Sequence, residues 1–133
     1  MHIILKRIFT IVFAVSISVC IGQNKLNKPQ FKLSCIDSGI ISVSTLIENR
    51  AICKIQPNNS NLRVVSFEVT LVTNGNTYLV TCKDTLHSEF ISYFNNKIEA
   101  GKTAKLIIDN VKAINQNKEM VSLKNPLILK VKK

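Results

Sequence analysis

Residues Leu62–Cys82, LRVVSFEVTLVTNGNTYLVTC, carry the strongest structural signal in the chain. In the first half, apolar residues alternate with others at a period of two, which is typical of a strand with one buried face. Asn74 and Gly75 tolerate the positive φ of a tight turn, and a β-branched and aromatic run follows over residues 77–82. The stretch therefore predicts a β-hairpin, which we expect in the middle of the sheet.

The first 22 residues have the pattern of an export signal. Lys6 and Arg7 form a short basic region, an apolar run occupies residues 8–19, and small residues precede position 23. The pattern predicts a signal peptide that is cleaved between Gly22 and Gln23. The mature protein would then be periplasmic or secreted, with no transmembrane span.

Two other fates of this segment stay open. An uncleaved signal would anchor the chain in a membrane, but a helix over residues 8–22 would reach only about 22 Å, short of the roughly 30 Å hydrocarbon core. A lipid on Cys20 would also tether the domain. Val19 stands where lipoprotein signals normally have a small residue, so cleavage is the preferred prediction.

The remaining chain divides into a lead-in and one domain. After the predicted signal peptide (residues 1–22), we expect a flexible polar lead-in over residues 23–30 and a single β domain over residues 31–133.

Cleavage of the signal lowers the formal net charge from +10 to +8, and the excess positive charge is mostly dispersed lysine. Nucleic-acid sites gather basic residues on one face with aromatics between them, and no such cluster is visible. We therefore expect a solvated lysine-rich surface and no nucleic-acid partner.

A helical pattern follows the hairpin. Leu86, Phe90, Phe94 and Ile98 recur every four residues, which predicts an amphipathic helix over about residues 86–99. Asp84 or Thr85 would cap its start and Gly101 would follow its end. A second, shorter helix is predicted near residues 44–49 from a capping-box pattern, although the same residues also alternate like a strand.

The fold class that these elements predict is mostly β (α+β), an antiparallel sheet or sandwich-like domain with one main packed helix. Three further strands complete the tail, and the lysines on the last one suggest an edge strand protected against pairing with other chains. The predicted core consists of nine apolar residues: Val65, Phe67, Val69, Leu71, Phe90, Phe94, Ile98, Ile107 and Leu129.

Three cysteines follow the signal, namely Cys35, Cys53 and Cys82. An odd number in an exported protein allows one disulfide and one free thiol, and the sequence does not determine the pairing. All three lie in apolar, strand-like contexts, so buried reduced cysteines are the simplest interpretation. If a bridge forms, we favour Cys53 with Cys82.

The mature sequence offers little catalytic chemistry. His87 is its single histidine, and the trio of Cys82, Asp84 and His87 straddles a strand end and a helix start without a fourth zinc ligand. The carboxylates are dispersed, no nucleophile motif surrounds a serine, and no glycine-rich phosphate loop is present. We therefore predict a protein that is not an enzyme and has no catalytic, cofactor-binding or metal-binding residues.

Five stretches together resemble a known family. They are Ile41-Ser42 followed by Leu46, VVSFEV at 64–69, KIEAGK at 97–102, LIIDNVKA at 106–113 and PLILKV at 126–131. They are similar to the C-terminal domain of GldM and PorM, the periplasmic stalk proteins of gliding motility and type IX secretion in Bacteroidetes. The likeness covers about residues 40–132.

The resemblance implies a function in protein interaction. A full stalk protein has an uncleaved membrane helix and further domains before this one, so motor coupling does not carry over. What the likeness implies is a stand-alone exported domain that binds envelope proteins, such as type IX secretion or outer-membrane components, and that could form a homodimer as the stalks do. The alternative is an unrelated small periplasmic or secreted binding module, an adaptor or inhibitor that recognises a protein or ligand through loops at one end of the sheet.

Overall fold

The computed structural model describes residues 28–36, 39–48 and 53–133. The predicted signal peptide, its cleavage site at Gly22 and Gln23, and Cys20 lie outside the described residues. In the described part, nine strands and two helices follow one another in this order: β1 (Phe31–Leu33), β2 (Ile40–Ser42), α1 (Val43–Glu48), β3 (Cys53–Pro57), β4 (Arg63–Thr73), β5 (Asn76–Cys82), β6 (Thr85–Leu86), α2 (Ser88–Lys97), β7 (Thr103–Ile114), β8 (Met120–Leu123) and β9 (Leu127–Lys132).

Most strands form a six-stranded sheet of order β2-β9-β7-β4-β5, with β8 paired to β7. The central strand is β7, which pairs with β4 on one side and with β8 and β9 on the other. The pairing of β2 with β9 is parallel, and the other pairings are antiparallel. A second sheet has the order β1-β3-β6. The predicted mostly β, α+β class is confirmed.

Two predictions about sheet position are wrong. The hairpin β4–β5 does not lie in the middle, because β5 pairs with β4 alone and forms an edge. The terminal strand β9 is not an edge, because β2 pairs along its free side through Ile40 and Lys130 and their neighbours. The hairpin turn itself is as expected, since Asn74 and Gly75 have φ values of 50° and 75°, which a type I′ turn requires.

The core lies between the inner face of the six-stranded sheet and a second layer that contains the helices and the small sheet. Its helical half is closely packed: side chains from α1, α2, β4, β7 and β9 surround a void of only about 10 Å³. The side chains around it include Val43, Leu46, Leu71, Phe94 and Leu106. Among the described residues, we find no helix of the length and apolar character needed to cross a membrane.

Six of the nine predicted core residues are buried: Phe67, Val69, Leu71, Phe94, Ile98 and Leu129. The other three are corrected. Phe90 is half-buried and packs at the margin of the cluster, while its neighbour Ile91 is 2% exposed. Ile107 lies on the opposite face of β7 from the buried Leu106 and Ile108.

The error at Val65 comes from a β-bulge. The register of β4 against β7 shifts between Val64 and Ser66, so that Val65 is an extra residue without a partner. Val64 is therefore the buried residue of this pair, with 4% of its surface exposed. A second shift lies opposite, near Asn110, whose φ of 47° fits the extra residue of a bulge. Each bulge changes which face of its strand the following side chains occupy.

The main helix is shorter than predicted. It begins at Ser88 and ends at Lys97, with His87 as its N-cap and no side-chain cap hydrogen bond. Neither predicted cap is used, because Thr85 and Leu86 form β6 and pair with β3. Gly101 has a φ of 74° and lies in a turn closed by the Lys102 amide, which donates to the Glu99 carbonyl at 3.0 Å. Glycine suits this positive φ.

The disulfide joins Cys35 to Cys53, with 5.7 Å between their Cα atoms. The interpretation of three reduced cysteines is therefore wrong, and so is the favoured pairing of Cys53 with Cys82. The reason is the β1–β3 ladder: the Ser34 amide donates to the Lys54 carbonyl at 3.1 Å, which sets Cys35 beside the start of β3. Cys82 is a free, buried thiol opposite Phe67 on the inner face of the larger sheet.

The end of the predicted lead-in is held against the domain. The Gln30 side chain accepts a hydrogen bond from the Lys124 amide at 2.8 Å. The Asn125 side chain donates to the Lys28 carbonyl at 2.9 Å, and Asn58 donates to the Pro29 carbonyl at 3.1 Å. Residues 28–30 are thus tied to the β8–β9 connection and to the β3–β4 connection.

Candidate functional site

The outer face of the six-stranded sheet is open to solvent and carries large apolar side chains. Ile40 is 63% exposed, Leu79 is 59% exposed and Ile128 is 51% exposed. They belong to two rows of side chains that run across neighbouring strands. The first row is Ile40, Lys130, Lys105 and Val72, and the second is Ile128, Ile107, Thr70 and Leu79.

The edge strand β5 bounds this face. Its pairing with β4 starts from a two-residue turn, with Thr73 opposite Asn76. In such a hairpin, alternate residues direct their backbone groups away from the partner strand, and here these are Thr77, Leu79 and Thr81. Among the described residues, no further hydrogen bond satisfies these N–H and C=O groups. The edge is therefore ready for pairing with another strand.

The composition of β5 leaves this edge unguarded. Natural edges are usually protected by lysine, proline or a bulge. The run Asn76–Cys82 contains no charged residue and no proline, and its register with β4 is continuous over all seven residues. An edge of this kind favours strand addition.

An aromatic cluster holds α2 against the inner side of β5. The Tyr78 ring meets the Tyr93 ring edge to face, with 6.2 Å between their centroids. The Lys97 Nζ atom lies 5.1 Å from the centroid of each ring. Such a cation–π contact contributes about 0.5–1 kcal/mol at an exposed site. The cluster therefore helps to fix the helix to the edge strand.

Two carboxylates face each other further along the outer face. Glu68 on β4 is the direct cross-strand partner of Asp109 on β7. The Asp109 Oδ1 atom is buried without a hydrogen-bond partner among the described residues. Burial raises the pKa of Asp109 above its ordinary value of 3.8, and the neighbouring charge of Glu68 raises it further. The pair is an unfavourable contact within the sheet.

A cleft of about 630 Å³ lies at the hairpin end of the outer face. Gly39 and Ile40 border it on one side and the Asn74–Gly75 turn on another, with Lys105 and Lys130 among its lining residues. Its volume is within the range of small-molecule sites.

In the described part of the chain, no group of three or more His, Cys, Asp or Glu side chains is placed to bind a metal ion. This includes the trio of Cys82, Asp84 and His87. His87 is exposed, and its Nε2 atom lies 3.4 Å from the Thr85 hydroxyl. Cys82 is 5% exposed, and burial raises the pKa of its thiol to about 11. A thiol with such a pKa is almost wholly protonated near neutrality and therefore a poor nucleophile.

The residues that make this face distinctive were not predicted from the sequence. Leu79 stood out only as one apolar residue of a hairpin, although the uncharged run of β5 could have indicated an open edge. The juxtaposition of Lys105 with Lys130 needed the strand register, because these residues are far apart in the sequence. No family model, curated protein or solved structure matches this chain.

Proposed function

We propose that this chain is a non-enzymatic, exported interaction domain that binds an extended segment of a partner protein in the cell envelope, through the β5 edge. The observation that carries the proposal is the free, uncharged edge at Thr77, Leu79 and Thr81. A partner strand would satisfy these backbone groups and would place a side chain beside Leu79. It would thereby extend the second row of the outer face.

The likeness to the terminal domain of the GldM and PorM stalks supports an envelope partner, and the pattern of an export signal supports a periplasmic or secreted location. We propose a role accessory to type IX secretion or gliding on this basis. The domain would act as a stand-alone counterpart of the part of the stalk that faces outer-membrane partners. The chemistry required is strand pairing, which needs neither cofactor nor metal.

The proposal is tested by affinity purification of the tagged protein from its native envelope, followed by mass spectrometry. Leu79→Lys puts a charge on the edge and should abolish recovery of the partner. Met120→Lys is the matched control, because Met120 is 61% exposed and lies on β8, away from β5. An envelope protein recovered with the parent chain and Met120→Lys, but not with Leu79→Lys, would support the proposal. Equal recovery with Leu79→Lys would contradict it.

Hydrogen exchange on the purified complex provides an independent test. Binding at the edge should slow exchange of the Thr77, Leu79 and Thr81 amides, which point away from β4. Unchanged exchange at these amides would place the interface elsewhere. A second copy of the chain is another occupant of the edge, and sedimentation of the purified protein alone would reveal it. Recovery of an unrelated envelope protein would leave the stalk resemblance as a matter of ancestry.

A second candidate function is a small ligand-binding module. The cleft at the hairpin end favours it, because loops at one end of the sheet border this cavity. Saturable binding of a small molecule without a protein partner would support this reading.

A further inference from the structure

The cleft on the outer face combines an apolar surface with two adjacent cations. Lys105 on β7 and Lys130 on β9 are direct cross-strand partners and both side chains are exposed. Such partners have Cβ atoms about 4.5–5.5 Å apart, and like charges at this spacing repel each other. The sheet therefore holds these two lysine side chains next to each other at one cleft.

Among the residues that the structure describes, no carboxylate offsets this repulsion. Neither ammonium group makes a hydrogen bond or ion pair with another residue in the described ranges. The acidic residues on the same face, Glu68 and Asp109, lie four positions along their strands from Val72 and Lys105. At about 3.3 Å per residue this is roughly 13 Å away. An anion placed between the two lysines would meet two cations, and none of the described residues that line the cleft is acidic.

Aliphatic side chains surround the two lysines. Ile40 and Val72 flank them in the same row, and Ile128 lies in the next row beside Ile107. Ile40 and Ile128 are more than half exposed, so a ligand that covers them would remove apolar surface from water. The cleft thus offers a charged centre and an apolar floor within about 630 Å³.

We propose that this cleft binds an anionic amphiphile that has one carboxylate and an alkyl chain. The carboxylate accepts charge-assisted hydrogen bonds from Lys105 and Lys130, and the chain lies over Ile128 and Ile40. The site is separate from the β5 edge and does not depend on the proposed protein partner.

The test uses dodecanoate below its micelle concentration, with titration calorimetry and amide chemical shifts as readouts. Dodecanol and dodecyltrimethylammonium serve as uncharged and cationic analogues with the same chain. We expect saturable one-to-one binding of dodecanoate, at least tenfold tighter than binding of either analogue, and the largest shifts at Ile40, Val72 and Ile128. Absence of saturable dodecanoate binding would overturn the proposal, as would equal affinity for the cationic analogue.

Variants separate the two parts of the site. Lys105→Gln with Lys130→Gln should lower the affinity for dodecanoate at least tenfold and leave dodecanol binding unchanged. This double variant should fold, since it removes a repulsion, and its melting temperature checks this. Lys83→Gln with Lys112→Gln removes the same charge from exposed positions outside the cleft and should retain binding. An equal loss in both double variants would show attraction by net charge alone and would overturn the site.

The apolar part has its own variant. Ile128→Glu should weaken binding of both dodecanoate and dodecanol, because it places a charge where the alkyl chain lies. Unchanged binding of both molecules in this variant would contradict the proposed position of the chain.

Discussion

The two faces of the six-stranded sheet differ sharply although they belong to the same strands. On β4, Phe67, Val69 and Leu71 have no exposed surface, whereas the alternate residues Thr70 and Val72 on the other face are partly exposed. One face is covered by helices and a small sheet, and the other is open. Neighbouring residues of one strand therefore belong to different faces, one of which stabilises the fold while the other is free for recognition. Variants on the outer face can thus test function in a protein that still folds.

The largest loss of stability is expected from a substitution on the inner face. Phe67→Ala removes a fully buried ring and should lower the free energy of unfolding by about 3–5 kcal/mol. Leu79→Ala, at an exposed position on the outer face, should change it by less than about 0.5 kcal/mol. Urea unfolding of both variants checks the comparison. Similar losses in the two variants would show that the outer face is also part of the core.

The layer that covers the inner face depends on the disulfide. Replacing both Cys35 and Cys53 by alanine removes a covalent bond between residues 18 positions apart. The free energy of unfolding should fall by about 2–4 kcal/mol. Urea unfolding under oxidising conditions measures the loss. Treating the parent protein with a reductant should produce a comparable loss. If the reduced protein were as stable as the oxidised one, the link would contribute nothing to this layer.

A smaller loss of stability is expected where Lys133 contacts α2. The Lys133 Nζ atom donates hydrogen bonds to the Asn95 carbonyl at 2.8 Å and the Ile98 carbonyl at 2.9 Å. A cation here satisfies free carbonyls and interacts favourably with the helix dipole. Lys133→Met should therefore cost about 0.3–1 kcal/mol. Lys132→Met is the control, because that side chain is exposed on β9; equal melting temperatures for the two variants would contradict the capping role.

The smallest change in stability is expected on the outer face, at the carboxylate pair of Glu68 and Asp109. Asp109→Asn removes the repulsion with Glu68 and should stabilise the protein by about 0.2–1 kcal/mol at neutral pH. Because the pKa of Asp109 is raised in the folded protein, the parent loses stability as pH rises from 3.8 through this raised pKa. The two proteins should be equally stable below that window and diverge above it.

Thermal unfolding as a function of pH measures this divergence. Asp84→Asn makes the same chemical change away from Glu68 and serves as the control. A constant difference between Asp109→Asn and the parent at all pH values would show that the charge of Asp109 is not its cause.

Local patterns predicted the elements that depend on neighbours in the sequence. The alternation in β4, the Asn74–Gly75 turn and the apolar spacing of α2 come from backbone preferences that act over a few residues. The six correctly predicted core residues lie in these segments, directly after α2 (Ile98) or in β9. These features determine the class of the fold.

Features that depend on register could not be predicted in this way. The bulges near Val65 and Asn110 change which side chains of β4 and β7 point to the core. The alternation of apolar residues does not reveal these bulges, because both faces of the strands carry β-branched residues. The partner of Cys53 depends on the β1–β3 ladder. The Lys105–Lys130 pair, which is central to the candidate ligand site, depends on the pairing of β7 with β9.

The parallel ladder between β2 and β9 has a consequence for the time course of folding. It joins Ile40 to Lys130, about 90 residues later in the chain, and such non-local contacts form slowly because a long loop must close first. During synthesis, the hairpin β4–β5 can form early, but the edge at β2 must wait for the last strand. Until β9 emerges, one side of β7 lacks a partner over Thr103–Ile108, so the sheet stays incomplete until β9 has been synthesised.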